Sequence, residues 1–155
     1  MAQASSSASD KSLEHAHIER IIAAKLPGSP IYAYLLSDVQ VVSAAKGHVV
    51  CRLKLTKTHM NSGGGLHGSV SATIIDWMGG MAICSQTLKD SSGVSVDIHA
   101  TYLSSVKDGD EIEIEGWADK VGSSMSYTTI NIFKVEGGQR GRPVVKGSHT
   151  KFVRA

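Results

Sequence analysis

Two cysteines in 155 residues cannot build the disulfide framework that holds small secreted domains together. Cys51 and Cys84 sit inside apolar patterns without metal-ligand spacing, and read as reduced core residues of an intracellular protein. Excess charge of one sign is also lacking. The 16 Lys and Arg against 14 Asp and Glu, formal net charge +2, are mixed along the chain and leave no clustered basic face for nucleic acid. No apolar run approaches the roughly 18 to 20 residues that cross a bilayer, so a transmembrane helix is excluded. The opening MAQASSSASDK lacks the apolar centre of a secretory signal and, with Asp10 and no arginine, makes a poor transit peptide. It reads as a disordered tail over 1–11, ahead of one domain over 12–155. No cluster of His, Cys and carboxylates has metal spacing, so no metal is expected. No repeat or long linker divides the chain.

What is present is 41% hydrophobic residues, enough for a sizeable core in a single domain. Over 12–26, Leu13, Ile18, Ile21, Ile22 and Leu26 fit a helix with Ser12 as N-cap and Pro27-Gly28 as its stop, covering an edge or end of the domain. Residues 30–36 read as a further helical turn. The segment DVQVVSAAKGHVVCRLKLT holds two alternating runs joined at 45–47. Val49, Cys51, Leu53 and Leu55 face one way and Val50, Arg52 and Lys54 the other, which predicts a half-buried antiparallel hairpin.

A glycine-rich loop follows, and then, over about 66–88, a helix apolar on all sides, which must be covered on most of them. Four strand-like runs close the chain: GVSVDIHATYLSSV, DEIEIEGWADKV, SMSYTTINIFKV and PVVKGSHTKFVRA, separated by the turn signals KDGD, GSS and EGGQRGRP. A long buried helix between a hairpin and a four-stranded meander predicts an α+β hotdog architecture. One curved antiparallel sheet of about six strands wraps around the central helix, because no other layer is available to bury it, with the N-terminal helix added.

Across the loop and that helix, the stretch HMNSGGGLHGSVSATIIDWMGGMAI carries a single carboxylate, Asp76. An ionised carboxylate in apolar surroundings is costly unless paired, and no Lys or Arg stands at helical spacing from it. It is either catalytic or a buried polar residue satisfied by its neighbours. Gly68 lies in the first turn, where backbone N–H groups lack acceptors and the helix dipole favours negative charge. That suits an oxyanion hole, and equally a tight loop closing onto a helix. Eight residues separate Gly68 from Asp76, roughly 12 Å along a helix. One carbonyl cannot touch both, so the site is expected to combine two chains.

The stretch HMNSGGGLHGSVSATIIDWMGGMA followed by GVSVDIHATYLSSVKDGD closely resembles the hotdog acyl-CoA thioesterases of the phenylacetyl-CoA type. The likeness runs over about 49–151 and is nearest to the eukaryotic acyl-CoA thioesterase branch, whose members share HxN, LHGG-like, D, GVSVD, TY and GxHTK elements in this order. It implies hydrolysis of a medium- to long-chain fatty, or aryl, acyl-CoA to a free acid and coenzyme A. Coenzyme A is part of the substrate, and no separate cofactor is expected. By the same resemblance Asp76 is the catalytic base or nucleophile, and Gly68 donates its N–H to the thioester carbonyl. Asn61 holds the nucleophile or substrate, although it is also a good turn residue. His67 polarises the carbonyl or caps the loop, and Ser95 orients water.

The coenzyme A portion falls to the turn Lys120, Val121, Gly122, Ser123, Ser124 and Met125, which pattern alone reads as an ordinary hairpin turn, and to Lys57, Gly93 and Tyr102. Ser105 where relatives often carry proline, and Phe152 where some carry histidine, are departures that bear on nucleotide contacts. Ile74, Ile75, Met78, Met81 and Ile83 are mostly core, with a subset lining an acyl tunnel. The resemblance further implies a homodimer with a shared site, or a tetramer of two dimers, and a cytoplasmic location with mitochondrial association. The rivals are a hotdog enoyl-CoA hydratase or dehydratase, which typically uses glutamate with histidine, and a non-catalytic acyl-CoA binding module.

Overall fold

Ser12 accepts the N–H of His15 on its side chain and donates its own hydroxyl to the Ala44 carbonyl at 2.6 Å, so the N-cap that starts the first helix also ties it to the first strand. The computed structural model describes residues 11–153. Of the expected tail, residues 1–10 lie outside that range, while Lys11 is described and pairs with Glu19 at 2.7 Å. Helix α1 is Leu13–Lys25, and a 3-10 turn over Leu26–Gly28 leads to α2, Pro30–Leu36. Strands β1, Gln40–Ala45, and β2, His48–Lys54, form the hairpin, and α3 is Gly68–Thr87. Strands β3, Val94–Tyr102, β4, Glu111–Val121, β5, Met125–Glu136, and β6, Gln139–Phe152, complete the order.

The six strands form one antiparallel sheet in the order β1-β2-β4-β5-β6-β3. The expectation of a curved sheet wrapped around the central helix is corrected. The sheet is open and not strongly curled, with β1 and β3 as its two edges. The premise that no other layer could cover α3 fails because α1 and α2 are that layer. Ile18, Ile21, Leu26, Leu35 and Leu36 share one core with Ile74, Ile75 and Met78 of α3 and Ile112, Ile114, Ile130 and Ile132 of the sheet. Helix α1, expected at an edge or end, lies against both the edge strand β1 and α3. A helix apolar all round is thus sandwiched between sheet and helices.

The four-stranded meander is corrected as well. Strand β2 pairs with β4, placing Cys51 opposite Ile114, so β3 crosses to the far edge and pairs with β6. The expected turn EGGQRGRP shrinks to Gly137-Gly138, whose φ values of 59° and 78° make the two-residue loop that matches strand twist. Glu136 ends β5, and residues 139–143 of that segment join β6. Cys51 and Cys84 are free and buried, and burial pushes their thiols up to about 12 and about 11. Among the described residues no helix is long and apolar enough to cross a membrane.

Candidate functional site

Asp76 lies midway along α3 with 27% of its side chain exposed, and both of its oxygens are held by hydroxyl donors. Tyr32 of α2 donates to Oδ2, and Ser95 of β3 donates to Oδ1 at 2.8 Å. A β-bulge between Ser95 and Asp97 breaks the strand's alternation at this point, the kind of irregularity that re-aims a side chain. Burial, with the hydrogen bond and charge of Asp76, raises the Tyr32 phenol far above its ordinary range. Tyr32 is therefore a permanent donor.

His149 of β6 completes the arrangement. Its Nε2 stands 2.9 Å from Ser95 Oγ and 3.5 Å from Asp76 Oδ1. Ser95 has one hydroxyl proton and gives it to Asp76, so its oxygen accepts from His149, which assigns the proton of the neutral ring to Nε2. His149 is fully buried. That burial, reinforced by the charge of Lys151, outweighs Asp76 and holds the imidazole below its ordinary pKa. Its Nδ1 has no hydrogen-bond partner among the described residues and occupies space left by Gly79, where an added Cβ would meet it at 2.6 Å.

Two cavities meet beside this group, sharing Ser91 and Gly93. The smaller, about 300 Å³, is lined by Asp76, Tyr32, Trp77, Met81 and Lys151, with Ile21, Ile22 and Leu26 contributed by the α1 side. The larger, about 610 Å³, is lined by Gly93, Val94, Val121, Gly122, Ser123 and Phe152, among others. Four of the expected coenzyme A contacts, Gly93, Val121, Gly122 and Ser123, thus come together in the cavity that adjoins the one lined by Asp76. Lys120, Ser124 and Met125 flank the same β4–β5 turn without lining the cavity. There Met125 accepts the Gly122 N–H at 2.9 Å and Ser124 the Val153 N–H at 2.8 Å, both on their carbonyls.

The remaining expected residues collect elsewhere, at the N-terminal end of α3. Asn61 accepts the N–H groups of Gly63 and Gly65 on its amide oxygen at 2.9 and 3.2 Å, which is the turn-forming use of asparagine. His67 is the N-cap of α3, its Nδ1 accepting the Ser69 N–H at 3.1 Å. The Gly68 carbonyl accepts the Tyr102 hydroxyl at 3.1 Å, while as the first helical residue its N–H has no intrahelical acceptor. Lys57 sits nearby in a one-turn 3-10 helix before the glycine loop. Tyr102 ends the strand in which Ser95 is the second residue, roughly 23 Å away at the rise of an extended chain. Within one chain, then, the Gly68 group and the Asp76 group stay apart.

Sequence reasoning missed Tyr32, His149 and Lys151 as site residues. The GxHTK element contains two of them, but Tyr32 lies in a seven-residue helix with no chemical signature. The absence of a cation at helical spacing from Asp76 also misled, since the sheet brings Lys151 up from the other side. Among the described residues no group of three His, Cys, Asp or Glu side chains forms a metal site.

Comparison with known proteins matches residues 63–140 to the thioesterase superfamily. Human acyl-coenzyme A thioesterase 13 is 35% identical over 119 residues, spanning 77% of this chain and 82% of its own. The crystal structure of zebrafish thioesterase superfamily member 2 superposes with a TM-score of 0.75 at 35% identity, covering 86% of this chain and 93% of that one. A thioesterase protein from Streptococcus pneumoniae, solved with coenzyme A, gives a TM-score of 0.69 at 27% identity over 81% of this chain and 93% of its own.

Proposed function

We propose, since the chain belongs to the thioesterase superfamily and is a hydrolase, that its substrate is a medium- to long-chain fatty or an aryl acyl-CoA, cleaved to a free acid and coenzyme A. The observation that carries this reading is the carboxylate of Asp76, clamped by Ser95 and Tyr32 where two cavities meet, one of them lined by the β4–β5 turn. The names of the human and streptococcal relatives, one an acyl-coenzyme A thioesterase and one solved with coenzyme A, support the choice of thioester.

In this reading Asp76 is a general base. Each of its oxygens carries one O–H donor and keeps a lone pair free for a proton from water. The water oxygen bonds to the thioester carbon as Asp76 takes the proton, giving a tetrahedral oxyanion. The C–S bond then breaks and the departing sulfur recovers the proton from Asp76, leaving acid, thiol and the original carboxylate. Ser95 and Tyr32 hold the base in place, and His149 holds Ser95.

The oxyanion donor comes from a second copy of the chain. Strand β3 is bonded to β6 on one side only, and Val94, Val96, Ile98 and Tyr102 along it are exposed, an edge that soluble proteins rarely leave uncovered. Antiparallel pairing of two such edges about a two-fold axis sets the Tyr102 end of one strand beside the Ser95 end of the other. Tyr102 is hydrogen-bonded to Gly68 and Ser95 to Asp76, so pairing brings the Gly68 N–H and the free Asn61 amide of one subunit toward Asp76 of its partner. His67 shapes that helix entry as its cap. A dimer is the minimum unit and a tetramer a pairing of two. A cytoplasmic location with mitochondrial association goes with this reading and is checked by cell fractionation.

The test is a panel of acyl-CoAs incubated with the purified protein and a thiol reagent. Thiol release with a free acid as coproduct supports the proposal. Hydration of an enoyl-CoA without thiol release overturns it in favour of a hydratase, and tight binding with neither reaction overturns it in favour of a binding module.

A further inference from the structure

Lys151 stands in β6 directly across from Ser95 of β3 and Ser126 of β5, and its side chain lines the 300 Å³ cavity beneath α3. It is only 7% exposed. Burial depresses its pKa, and the charge of Asp76, which opposes this, acts without a hydrogen bond. Among the described residues it belongs to no ion pair. A buried ammonium in that condition is costly unless something else supplies the missing charge.

The other charged groups around the cavity are already engaged. Asp90 takes both guanidinium nitrogens of Arg20, at 2.6 and 3.1 Å, and its backbone carbonyl takes Lys25. Asp76 takes Ser95 and Tyr32. Among the described residues, the Lys151 ammonium faces the space with neither an ion pair nor a hydrogen bond, on the same wall as the residues that hold Asp76.

We infer that Lys151 receives a carboxylate carried at the far end of the acyl group, so that the cavity accepts the half-thioesters of short dicarboxylic acids. This rests on the acyl-CoA hydrolase reading and adds to its fatty and aryl substrates a short class that carries a terminal charge. An anion at this position restores the pairing that the lysine lacks, and charge-assisted hydrogen bonds to an ammonium are among the stronger ones. The acyl group is short because Lys151 and Ser95 are cross-strand neighbours, with Cα atoms about 5 Å apart, and Ser95 touches Asp76. A few methylenes, laid against Trp77, Met81 and the apolar α1 wall, span from the reacting carbon to the ammonium.

Glutaryl-CoA and pentanoyl-CoA have the same number of acyl carbons and differ by the terminal carboxylate, so their kcat/KM ratio isolates the contact. The wild-type protein is expected to favour glutaryl-CoA, and free glutarate to inhibit pentanoyl-CoA turnover at lower concentrations than pentanoate does. Lys151→Met is expected to lower the glutaryl-to-pentanoyl ratio about tenfold or more, the order of one charged hydrogen bond, with Lys151→Arg retaining part of it. Equal losses on both substrates, or no wild-type preference and no glutarate inhibition, overturn the assignment. The wild-type measurements decide the matter even where the variants fail to fold. Thiol release from pentanoyl-CoA but none from glutaryl-CoA sinks this inference alone, whereas no thiol release from any acyl-CoA sinks the hydrolase reading beneath it.

Discussion

His149 Nε2 lies 2.9 Å from Ser95 Oγ, which itself lies 2.8 Å from Asp76 Oδ1, so a fully buried histidine reaches the carboxylate chiefly through a hydroxyl. If His149 acts by fixing Ser95, the two residues form one unit. Ser95→Ala and His149→Gln are each expected to lower kcat roughly tenfold to a hundredfold through misplacement of Asp76. The double variant is expected to be no worse than Ser95→Ala alone. Additive losses in steady-state thiol release contradict the unit.

The same histidine sets a pH dependence of stability. Its folded pKa is depressed, by burial first and then by Lys151, below the unfolded value of about 6.5. Between those two values the unfolded chain binds the extra proton, so stability falls as pH drops through about 6.5 and levels off below the folded pKa. Urea midpoints across this range are expected to show a slope that His149→Gln reduces. An unchanged slope would show that His149 is not the titrating group.

Asp76→Asn keeps the size of the side chain and removes its basicity, and is expected to lower kcat about a thousandfold while leaving the fold intact. The base reading makes a sharper claim in heavy-oxygen water. With enzyme in excess over acyl-CoA, the first turnover puts the label into the product acid and none into the protein. Labelled Asp76, found by mass measurement of its peptide, replaces the base with a nucleophile.

Gly79 faces His149 Nδ1 and Thr128 Oγ1, which a Cβ would meet at 2.6 and 2.9 Å. Both are buried and neither is the free end of a long side chain, so Gly79→Ala is expected to cost about 1–3 kcal/mol through overpacking and to displace His149. Denaturant unfolding checks the first effect and kcat the second. Wild-type values for both would mean that the helix yields at this turn.

The proposed shared site is open to complementation. Asp76→Asn retains the donors at Gly68, whereas Gly68→Val retains Asp76 but blocks close approach to the oxyanion. In a mixed dimer one site receives the intact half of each chain and the other receives both lesions. Co-refolding the two variants at equal amounts is expected to restore up to roughly a quarter of wild-type thiol release. No recovery, with heterodimers confirmed by native mass measurement, rules out exchange between subunits.

Local structure was legible where one residue type decides it. Ser12 caps α1, and the alternation through Val49, Cys51 and Leu53 places β2 on the core. The layer order was not legible, because the apolar stripe of α1 and α2 carries no label saying which side of α3 it will cover. Strand order escaped for a similar reason: β3 and β4 are consecutive in the chain, yet β2 competes for the same edge of β4 and wins. At the site, Asp76 announced itself by being a carboxylate among isoleucines, whereas Tyr32 and His149 are recognisable only once the fold has delivered them to it. Asn61 and His67 show the converse, since the hydrogen bonds seen are a turn and a cap.

Strand β3 is joined to the sheet solely through β6, and this orders events while the protein is being made. A chain emerging from the ribosome up to β5 has already released Tyr32, Asp76 and Ser95, but β3 has only α3 to pack against and no strand to pair with, and His149 has not been synthesised. The strand that carries Ser95 is paired only once β6 has emerged and inserted between β5 and β3. On the proposed reading, nascent chains that lack β6 therefore carry a mute carboxylate, and hydrolytic competence arrives with that strand rather than growing with length.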